Sequence, residues 1–213
     1  MATDLIEIDP LEPSSEALDR AAVAIRAGRV VAVPTDALYV LVADPFNLRA
    51  VRQVYKAKGR EINRALPLLV RDSMMVEELA RDISLRFKLL ARRFWPGLLT
   101  IIMDASAQVP LRATGNTGRL AVRHSASLVA DGLLARLNQP MIATSANLSG
   151  HPTCKSGIEV FGGMDGNVDL VLDGGLCAGT GASTVDITET EWRMIKEGSI
   201  TRHEIAECLG ASA

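Results

Sequence analysis

The sequence predicts an α/β domain built on one large, twisted, mixed β-sheet that is flanked by helices. The first observation behind this prediction is that segments with helical apolar spacing alternate with short β-branched runs along the chain. The second is that 48% of the 213 residues are hydrophobic, which is enough for one substantial core. Since no repeat, low-complexity segment or linker interrupts the pattern, we predict a single domain over residues 1–213.

Cap and stop residues place the predicted helices. Ser14 or Ser15 caps a first helix that runs to Arg26, because Gly28 follows its end. Asn47 caps a second helix, whose outer face is strongly basic. Further helices are expected after Ser73, after Ser84, over residues 128–137 and after Thr201.

Short apolar runs between turn residues are the predicted strands. They lie at residues 29–33, 38–43, 66–70, 98–103, 120–123, 141–144, 169–172, 183–187 and 193–195. The glycine pairs 162–163 and 174–175 are interpreted as turns inside the domain, since apolar strands resume after them.

Composition and motif searches exclude several classes of protein. No run of about 18 or more apolar residues occurs and the N-terminus is acidic, so we expect a soluble, cytoplasmic protein without a membrane partner. The three cysteines are too far apart for a zinc site or a disulfide framework. P-loop, Rossmann, HExxH and GxSxG motifs are missing. A net charge of -2 argues against nucleic-acid binding over the whole surface but allows a local basic patch.

A dense group of cations lies between residues 49 and 64 against the single acid Glu61. It consists of Arg49, Arg52, Lys56, Lys58, Arg60 and Arg64. Such a local field suits a polyanion, although the first three residues are interpreted as a solvated helix face. Lys58 and Arg60 flank the glycine after the helix, in a loop where side chains can converge on a ligand. Because exposed loop cations contribute little to folding, alanine at either position is expected to lower turnover without lowering thermal stability.

Two further segments combine small hydrogen-bonding residues with glycine. The first is residues 144–150 (TSANLSG), which follow a predicted strand. Its hydroxyls, amide and backbone N–H groups suit phosphate or magnesium-bound phosphate, but a capped turn uses the same residue types. The second, residues 179–186 (GTGASTVD), is a glycine-rich turn that leads into a strand and is followed by Lys196, and it is a weak signal alone.

Taken in order, short segments resemble landmarks of the YrdC family of threonylcarbamoyl-AMP synthases, from about residue 15 to about residue 200. They are Pro34-Thr35-Asp36 with Tyr39, Lys58-Gly59-Arg60, Pro67-Leu68, Trp95-Pro96-Gly97 with Leu99-Thr100, Ala121-Val122-Arg123, residues 145–150, residues 183–186, and Gly198 with Ile200. Each segment is weak alone, whereas the ordered set is highly specific. The resemblance implies the YrdC-like fold.

The resemblance also implies an enzyme of the nucleotidyltransferase class. It would condense L-threonine, bicarbonate and ATP to threonylcarbamoyl-AMP and pyrophosphate. Downstream tRNA-modifying transferase proteins would then place the threonylcarbamoyl group on an adenosine beside the anticodon. ATP is a substrate here, and Mg²⁺ would be held mainly by its phosphates rather than by protein side chains. Weak binding of tRNA or double-stranded RNA is compatible with this role.

Site residues follow from the same resemblance. Lys58 and Arg60 match the family's cationic pair and are the expected catalytic residues, since they would neutralise charge as pyrophosphate leaves. The expected ATP contacts are Lys58, Arg60, Ser145, Asn147, Thr153 and Lys196. The expected threonine contacts are Thr35, Arg123, Ala143 and Ser183. A planar guanidinium at Arg123 suits a carboxylate, and a structural salt bridge is the alternative for this residue.

The chain departs from the family pattern near the expected amino-acid pocket. Ala37 and Val40 stand where the family has a threonine and a glycine, Leu66 where many members have asparagine, and Arg71 where histidine is frequent. A site that loses polar donors discriminates less well for a hydroxylated substrate, so altered selectivity or weaker activity follows unless other residues compensate. The chain ends soon after the domain, so we expect it to lack the extra C-terminal domain of longer relatives.

Two other functions stay open on the sequence alone. One is a non-catalytic RNA-binding or ribosome-assembly protein that uses the same basic surface. The other is a related adenylate-forming enzyme that acts on a different amine. The enzymatic hypotheses require that distant segments form one anion-holding hollow, with cations on one side and small hydroxyl and amide groups on the other.

Overall fold

The computed structural model describes residues 2–59 and 65–210 and confirms the predicted α/β architecture. Its strands are β1 (Asp4–Glu7), β2 (Val31–Val33), β3 (Val40–Ala43), β4 (Leu68–Leu69), β5 (Leu99–Asp104), β6 (Arg119–Arg123), β7 (Met141–Ser145), β8 (Leu170–Asp173), β9 (Ser183–Asp186) and β10 (Arg193–Lys196). Its helices are α1 (Ser15–Arg26), α2 (Leu48–Ala57), α3 (Ser73–Leu79), α4 (Leu85–Phe94), α5 (Leu128–Leu137), α6 (Gly157–Met164) and α7 (Arg202–Cys208). Within the residues described, none of these helices has the length and apolarity needed to span a membrane.

These strands form one mixed sheet, in the order β1-β8-β2-β3-β7-β4-β6-β5-β9-β10. Strand β8 runs parallel to β1 and β2, β4 runs parallel to β6, and β5 runs parallel to β9. The other neighbours run antiparallel. Because this order differs from the order along the chain, segments distant in sequence lie side by side on the sheet.

Helices pack on both faces of the sheet because successive strand residues point to opposite sides. On one face, α1 and α5 cover apolar residues such as Val31 and Leu172. On the other face, the remaining helices cover residues such as Ala32 and Val171, which alternate with the first set. The result is a three-layer domain with a core on each side of the sheet.

The part of the sheet formed by β6, β5 and β9, which lies in one half of the strand order, has one apolar face and one polar face. Its apolar face joins the core under α2, α3, α4, α6 and α7 through Leu99, Ile101, Val122 and Val185. Its alternate residues include Thr100, Arg123 and Thr184. In the described part of the chain, β5, β6 and β9 contribute no residue to the core under α1 and α5. We call this surface the polar half-face, and it is where a ligand site can form.

Most predicted elements agree with the structure to within a few residues, but three details are wrong. Asp72, rather than Ser73, caps α3, since its Oδ1 accepts a hydrogen bond from the backbone N–H of Met75 at 2.9 Å. The glycine pair 162–163 lies inside α6 rather than in a turn. Strand β1 and helix α6 are absent from the predicted elements.

The two unpredicted elements exist because of tertiary contacts. Strand β1 is largely exposed and carries no apolar alternation, and it becomes a strand because it pairs with β8 in parallel register. Helix α6 contains two glycines, which are poor helix formers. It is stabilised by a cap at Ser156 and by burial of Val160 and Met164. Packing therefore outweighs local propensity in both elements.

Candidate active site

A cavity on the polar half-face collects most of the site residues expected from the sequence. The predicted residues that line it are Thr35, Arg123, Ala143, Ser145, Thr153 and Lys196. Arg123 and Lys196 give it positive charge, and no aspartate or glutamate is among its lining residues in the part of the chain that the structure describes. The cavity therefore suits an anionic ligand.

Lys58 lies beside this cavity and joins helix α2 to the segment after β7. Its Nζ donates hydrogen bonds to Ser145 Oγ at 3.3 Å, to the Asn147 carbonyl oxygen at 3.0 Å and to Asn147 Oδ1 at 3.0 Å. It also donates to the Ser145 carbonyl oxygen. The Ser145 hydroxyl in turn donates to Asn147 Oδ1 at 2.6 Å. We call Lys58, Ser145 and Asn147 the lysine cluster, in which a cation, a hydroxyl and an amide contact one another directly.

The expectation that Lys58 is an exposed loop cation is wrong. Its side chain is enclosed, with only 3% of the residue exposed, and its backbone forms the C-terminal cap of α2. Its carbonyl also accepts a hydrogen bond from the backbone N–H of Ser149 at 2.9 Å. Arg60, the other expected catalytic cation, lies outside the described residues. Arg49, Arg52 and Lys56 are exposed, in agreement with a solvated helix face.

Arg123 is held in the cavity wall by a buried ion pair with Asp36, which follows β2. Its Nη2 donates to Asp36 Oδ1 and to Ser125 Oγ, and its Nε donates to the Gly97 carbonyl oxygen at 3.0 Å. The Ser125 hydroxyl also donates to Asp36 Oδ1. Burial lowers the pKa of the Arg123 guanidinium, and the Asp36 carboxylate opposes that shift. The structural salt bridge considered for Arg123 is therefore present, and the side chain also lines the cavity, so a contact with a threonine carboxylate stays a prediction.

In the ion pair of Arg123 and Asp36, one polar atom of each side chain has no hydrogen-bond partner among the described residues. Asp36 Oδ2 is buried without a hydrogen-bond donor among the described residues. Arg123 Nη1 has no hydrogen-bond partner among those residues either. A guanidinium that is fixed through two nitrogens and open at the third is prepared to bind a carboxylate.

Ser183, an expected threonine contact, is not among the residues that line the cavity. Ser183 is fully buried, and its hydroxyl donates to the Ile200 carbonyl oxygen at 2.6 Å. The same hydroxyl accepts from the backbone N–H groups of Gly198 at 2.9 Å and Ile200 at 3.0 Å. Because side chains alternate along β9, Ser183 points into the core and its neighbour Thr184 lines the cavity.

The hydroxyl of Thr35 is also engaged within the protein, although Thr35 lines the cavity. It donates to the Leu38 carbonyl oxygen at 2.7 Å and accepts from the backbone N–H groups of Ala37 at 3.1 Å and Leu38 at 3.3 Å. Its side chain therefore shapes the loop after β2, and contact with a ligand would compete with these bonds.

Tyr39 organises a second wall of the cavity. The side chain is fully buried, and its hydroxyl donates to the Gly175 carbonyl oxygen at 2.9 Å and accepts from the backbone N–H of Gly174 at 2.9 Å. The hydroxyl also lies 3.2 Å from Asp173 Oδ1, and burial raises the pKa of Tyr39 above its ordinary value. These bonds tie the end of β8 to β3, at the start of the glycine-rich segment that leads to β9.

Close backbone packing brings the glycine-rich segment against the cavity. A Cβ atom at Gly179 would lie 2.3 Å from the Ala37 carbonyl oxygen, so only glycine fits there. A Cβ atom at Gly181 would lie 3.1 Å from Lys196 Nζ, so glycine also gives the lysine its place in the cavity wall. The glycines of this weak sequence signal are thus explained by close approach.

Two of the four departures from the family pattern fall in the cavity. Ala37 and Val40 line it. Leu66 is buried in the core, and Arg71 lies on the surface, where its Nε is 3.9 Å from Asp131 Oδ1. Leu66 and Arg71 thus do not line the cavity, although Pro67, the neighbour of Leu66, does.

Sequence reasoning assigned no role to Asp36, Ser125, Thr100 or Thr184. The landmark segments contain three of them, but a motif does not say which way a side chain points. The alternation of strand residues could have identified Thr184 as a residue of the cavity. The apolar residue Val185 must face the core, so its neighbours must face the other side of the sheet. Ser125 has no sequence signal, since it acts through Asp36 across the fold.

We expect Lys58→Met to lower the free energy of unfolding by about 2 kcal/mol or more, because the buried acceptors of Ser145 and Asn147 lose a charged donor. Chemical denaturation measures this change. Lys56→Met is the matched control, since Lys56 is exposed on the same helix, and we expect it to alter stability by less than about 0.5 kcal/mol. Equal effects of the two substitutions would contradict a structural role for Lys58.

We expect Asp36→Ala to cost about 3 kcal/mol of stability, because it leaves the buried Arg123 charge without its counter-ion. The double variant Asp36→Ala/Arg123→Met should recover part of that loss. Asp131→Ala is the control, since its ion pair with Arg71 is half exposed and should contribute less than about 1 kcal/mol. No recovery in the double variant would show that Asp36 acts independently of Arg123. Urea denaturation of all three variants gives the comparison.

Comparison with known proteins shows relatives over most of the chain. Residues 23–198 match the Sua5/YciO/YrdC family model, which is described as "Telomere recombination". The chain is 34% identical over 187 residues to the threonylcarbamoyl-AMP synthase of Pyrococcus abyssi, covering 87% of this chain and 55% of that protein. It is 30% identical over 204 residues to the Bacillus subtilis protein of the same name, covering 95% and 59%. It is 34% identical over 169 residues to that of Coxiella burnetii, covering 78% and 89%.

Solved structures show the same fold. The structure of Pyrococcus abyssi Sua5 complexed with L-threonine superposes with a TM-score of 0.93 at 32% identity, over 98% of this chain and 61% of that one. Escherichia coli YciO superposes with a TM-score of 0.87 at 23% identity, over 95% and 99%. The chain spans little more than half the length of the Pyrococcus and Bacillus relatives. The family match over most of its length nevertheless shows that the chain belongs to the Sua5/YciO/YrdC family.

Proposed function

We propose that this chain condenses L-threonine, bicarbonate and ATP to threonylcarbamoyl-AMP and pyrophosphate, as a nucleotidyltransferase that supplies threonylcarbamoyladenosine modification of tRNA. The observation that carries the proposal is the cavity lined by Arg123 and Lys196, without a lining carboxylate in the described residues, next to the lysine cluster. Such a cavity supports the proposal, because the reaction requires a hollow that holds anions. The names of the relatives above support the choice of substrates.

The proposed chemistry needs positioning and charge neutralisation rather than a protein nucleophile. The threonine amine takes up bicarbonate with loss of water to give a carbamate. A carbamate oxygen attacks the α-phosphorus of ATP, the bond to the bridging oxygen breaks, and pyrophosphate leaves with the negative charge. Fixed cations stabilise that charge as it develops.

The residues of the cavity divide into two groups in this proposal. Arg123 binds the threonine carboxylate through its open Nη1 edge, beside Thr35 and Ala143. Lys58, Ser145, Asn147, Thr153 and Lys196 contact the nucleotide, and the sequence assigns Arg60 to the same group. Lys58 then acts from a preorganised position, because its neighbours hold it before substrate binds.

Magnesium is proposed to be held mainly by the phosphates of ATP. Among the residues that the structure describes, no three His, Cys, Asp or Glu side chains lie close enough to hold a metal ion. Hydroxyl and amide groups such as those of Ser145 and Asn147 fit a metal that keeps most of its water and phosphate ligands. The downstream partners in this proposal are tRNA-modifying transferases of the cytoplasm.

A pyrophosphate assay tests the reaction. The protein is incubated with ATP, Mg²⁺, bicarbonate and one amino acid at a time, and pyrophosphate release is measured. We expect release with L-threonine that depends on bicarbonate. Release that prefers another amine would replace threonine in the proposal. No release with any amine would remove the enzymatic proposal and favour a protein that binds RNA without catalysis.

Lys196→Gln tests the charge of the cavity. We expect it to lower kcat/KM for ATP by about 10-fold or more, since a charged hydrogen bond to phosphate is lost. Lys56→Gln removes the same charge from an exposed position of α2 and should leave kcat/KM unchanged. Equal losses in the two variants would indicate that overall charge, rather than the cavity, attracts ATP.

A further inference from the structure

Two threonines to which the proposed reaction assigns no role lie side by side in the wall of the cavity. Thr100 on β5 and Thr184 on β9 are direct partners in the parallel register of these strands. Both line the cavity. Their strand neighbours Leu99, Ile101 and Val185 are fully buried in the core on the opposite face. The alternation along each strand therefore directs both threonine side chains toward the cavity.

Both hydroxyls are available to a ligand. Within residues 2–59 and 65–210, neither hydroxyl takes part in a hydrogen bond with the protein. In contrast, the hydroxyls of Thr35 and Ser183 are occupied by bonds to the backbone. Thr100 is only 7% exposed, so its hydroxyl is close to losing contact with bulk water when a ligand enters. A ligand with a polar group at that point forms a hydrogen bond with the hydroxyl. A ligand with an apolar group there leaves the hydroxyl without a hydrogen-bond partner.

The pair stands next to the group that binds the carboxylate. In the antiparallel register of β5 and β6, Ile101 pairs with Val122, so Thr100 and Arg123 lie one residue beyond that pair, at the same end of the two strands. Arg123, Thr100 and Thr184 thus form one row across three neighbouring strands, with about 4.8 Å between strands. An α-amino acid held at Arg123 by its carboxylate would extend its side chain along this row.

The row also bears on the missing hydroxyl at Ala37. Ala37 lines the same cavity and contributes no polar side-chain atom. We propose that Thr100 and Thr184 recognise the side-chain hydroxyl of the amino-acid substrate and so restore selectivity for a hydroxylated amino acid. This inference rests on the proposed function, and it names the residues that decide between threonine and its apolar isostere valine.

The physical basis is the cost of unsatisfied polar groups. L-Valine has nearly the shape of L-threonine, but a methyl group replaces the hydroxyl. When valine binds, it displaces water from the threonine hydroxyls and returns no hydrogen bond. A site with such hydroxyls therefore discriminates strongly against the analogue that lacks the hydroxyl. An apolar pocket, which distinguishes ligands by size, discriminates less strongly.

The test is the ratio of kcat/KM for L-threonine to kcat/KM for L-valine, measured by pyrophosphate release with Thr100→Val and Thr184→Val. We expect each substitution to lower this ratio by about 3- to 10-fold, which corresponds to one hydrogen bond. Thr100→Ser and Thr184→Ser keep a hydroxyl and should keep the ratio of the unmodified protein. Should Thr100→Val fail to fold, Thr184→Val decides the outcome, because Thr184 is only half-buried.

Thr3→Val is the control for stability. The Thr3 hydroxyl donates to the Val168 carbonyl oxygen at 2.8 Å beside β1, far along the sheet from the cavity. Its loss should lower stability and leave the ratio unchanged. Unchanged ratios in both cavity variants, with pyrophosphate still formed, would overturn the inference and leave the proposed function standing. If the unmodified protein forms no pyrophosphate with any amine, the proposed function fails first, and this inference fails with it.

Discussion

The buried ion pair between Arg123 and Asp36 is the interaction on which the cavity depends. It joins the end of β6 to the loop after β2, two segments separated by most of a hundred residues. Two charges taken out of water are stable only when each has its partner and further hydrogen bonds, which Ser125 and the Gly97 carbonyl supply. The same contacts fix the guanidinium in one orientation. A ligand carboxylate therefore meets a cation that has already lost its freedom to move.

The lysine cluster plays the corresponding role at the other side of the cavity. Lys58 is a buried cation whose Nζ donates hydrogen bonds to carbonyl, hydroxyl and amide oxygens. These dipoles of Ser145 and Asn147 solvate its charge. Such a cation keeps its attraction for an anion while its position is set by the fold. In the proposed function, the same side chain therefore serves both stability and binding, whereas the sequence predicted an exposed loop cation.

The pleat of the sheet decides which side chains face the cavity. Ser183 and Thr184 are adjacent and chemically similar, yet one closes a turn inside the core and the other lines the cavity. Thr35 has its hydroxyl committed to the loop that carries Asp36. The sequence motifs contain Thr35, Ser183 and Thr184 but do not indicate which of their hydroxyls bond to the backbone and which are open to the cavity. The amino-acid side of the site is therefore defined by register, and a shift of one residue would reverse it.

Helix caps, apolar periodicity and turn residues determined most elements from the sequence alone, because these signals act within one turn or one strand. Asn47 and Gly28 mark boundaries by local hydrogen bonding and backbone conformation. The ordered motifs also determined the family and the residue types of the hollow. The tertiary structure alone decided that Lys58 is enclosed, that Arg123 is paired with Asp36, and that β1 and α6 form. These features depend on contacts between residues far apart in the chain. A local sequence pattern carries no information about the free energy of such contacts.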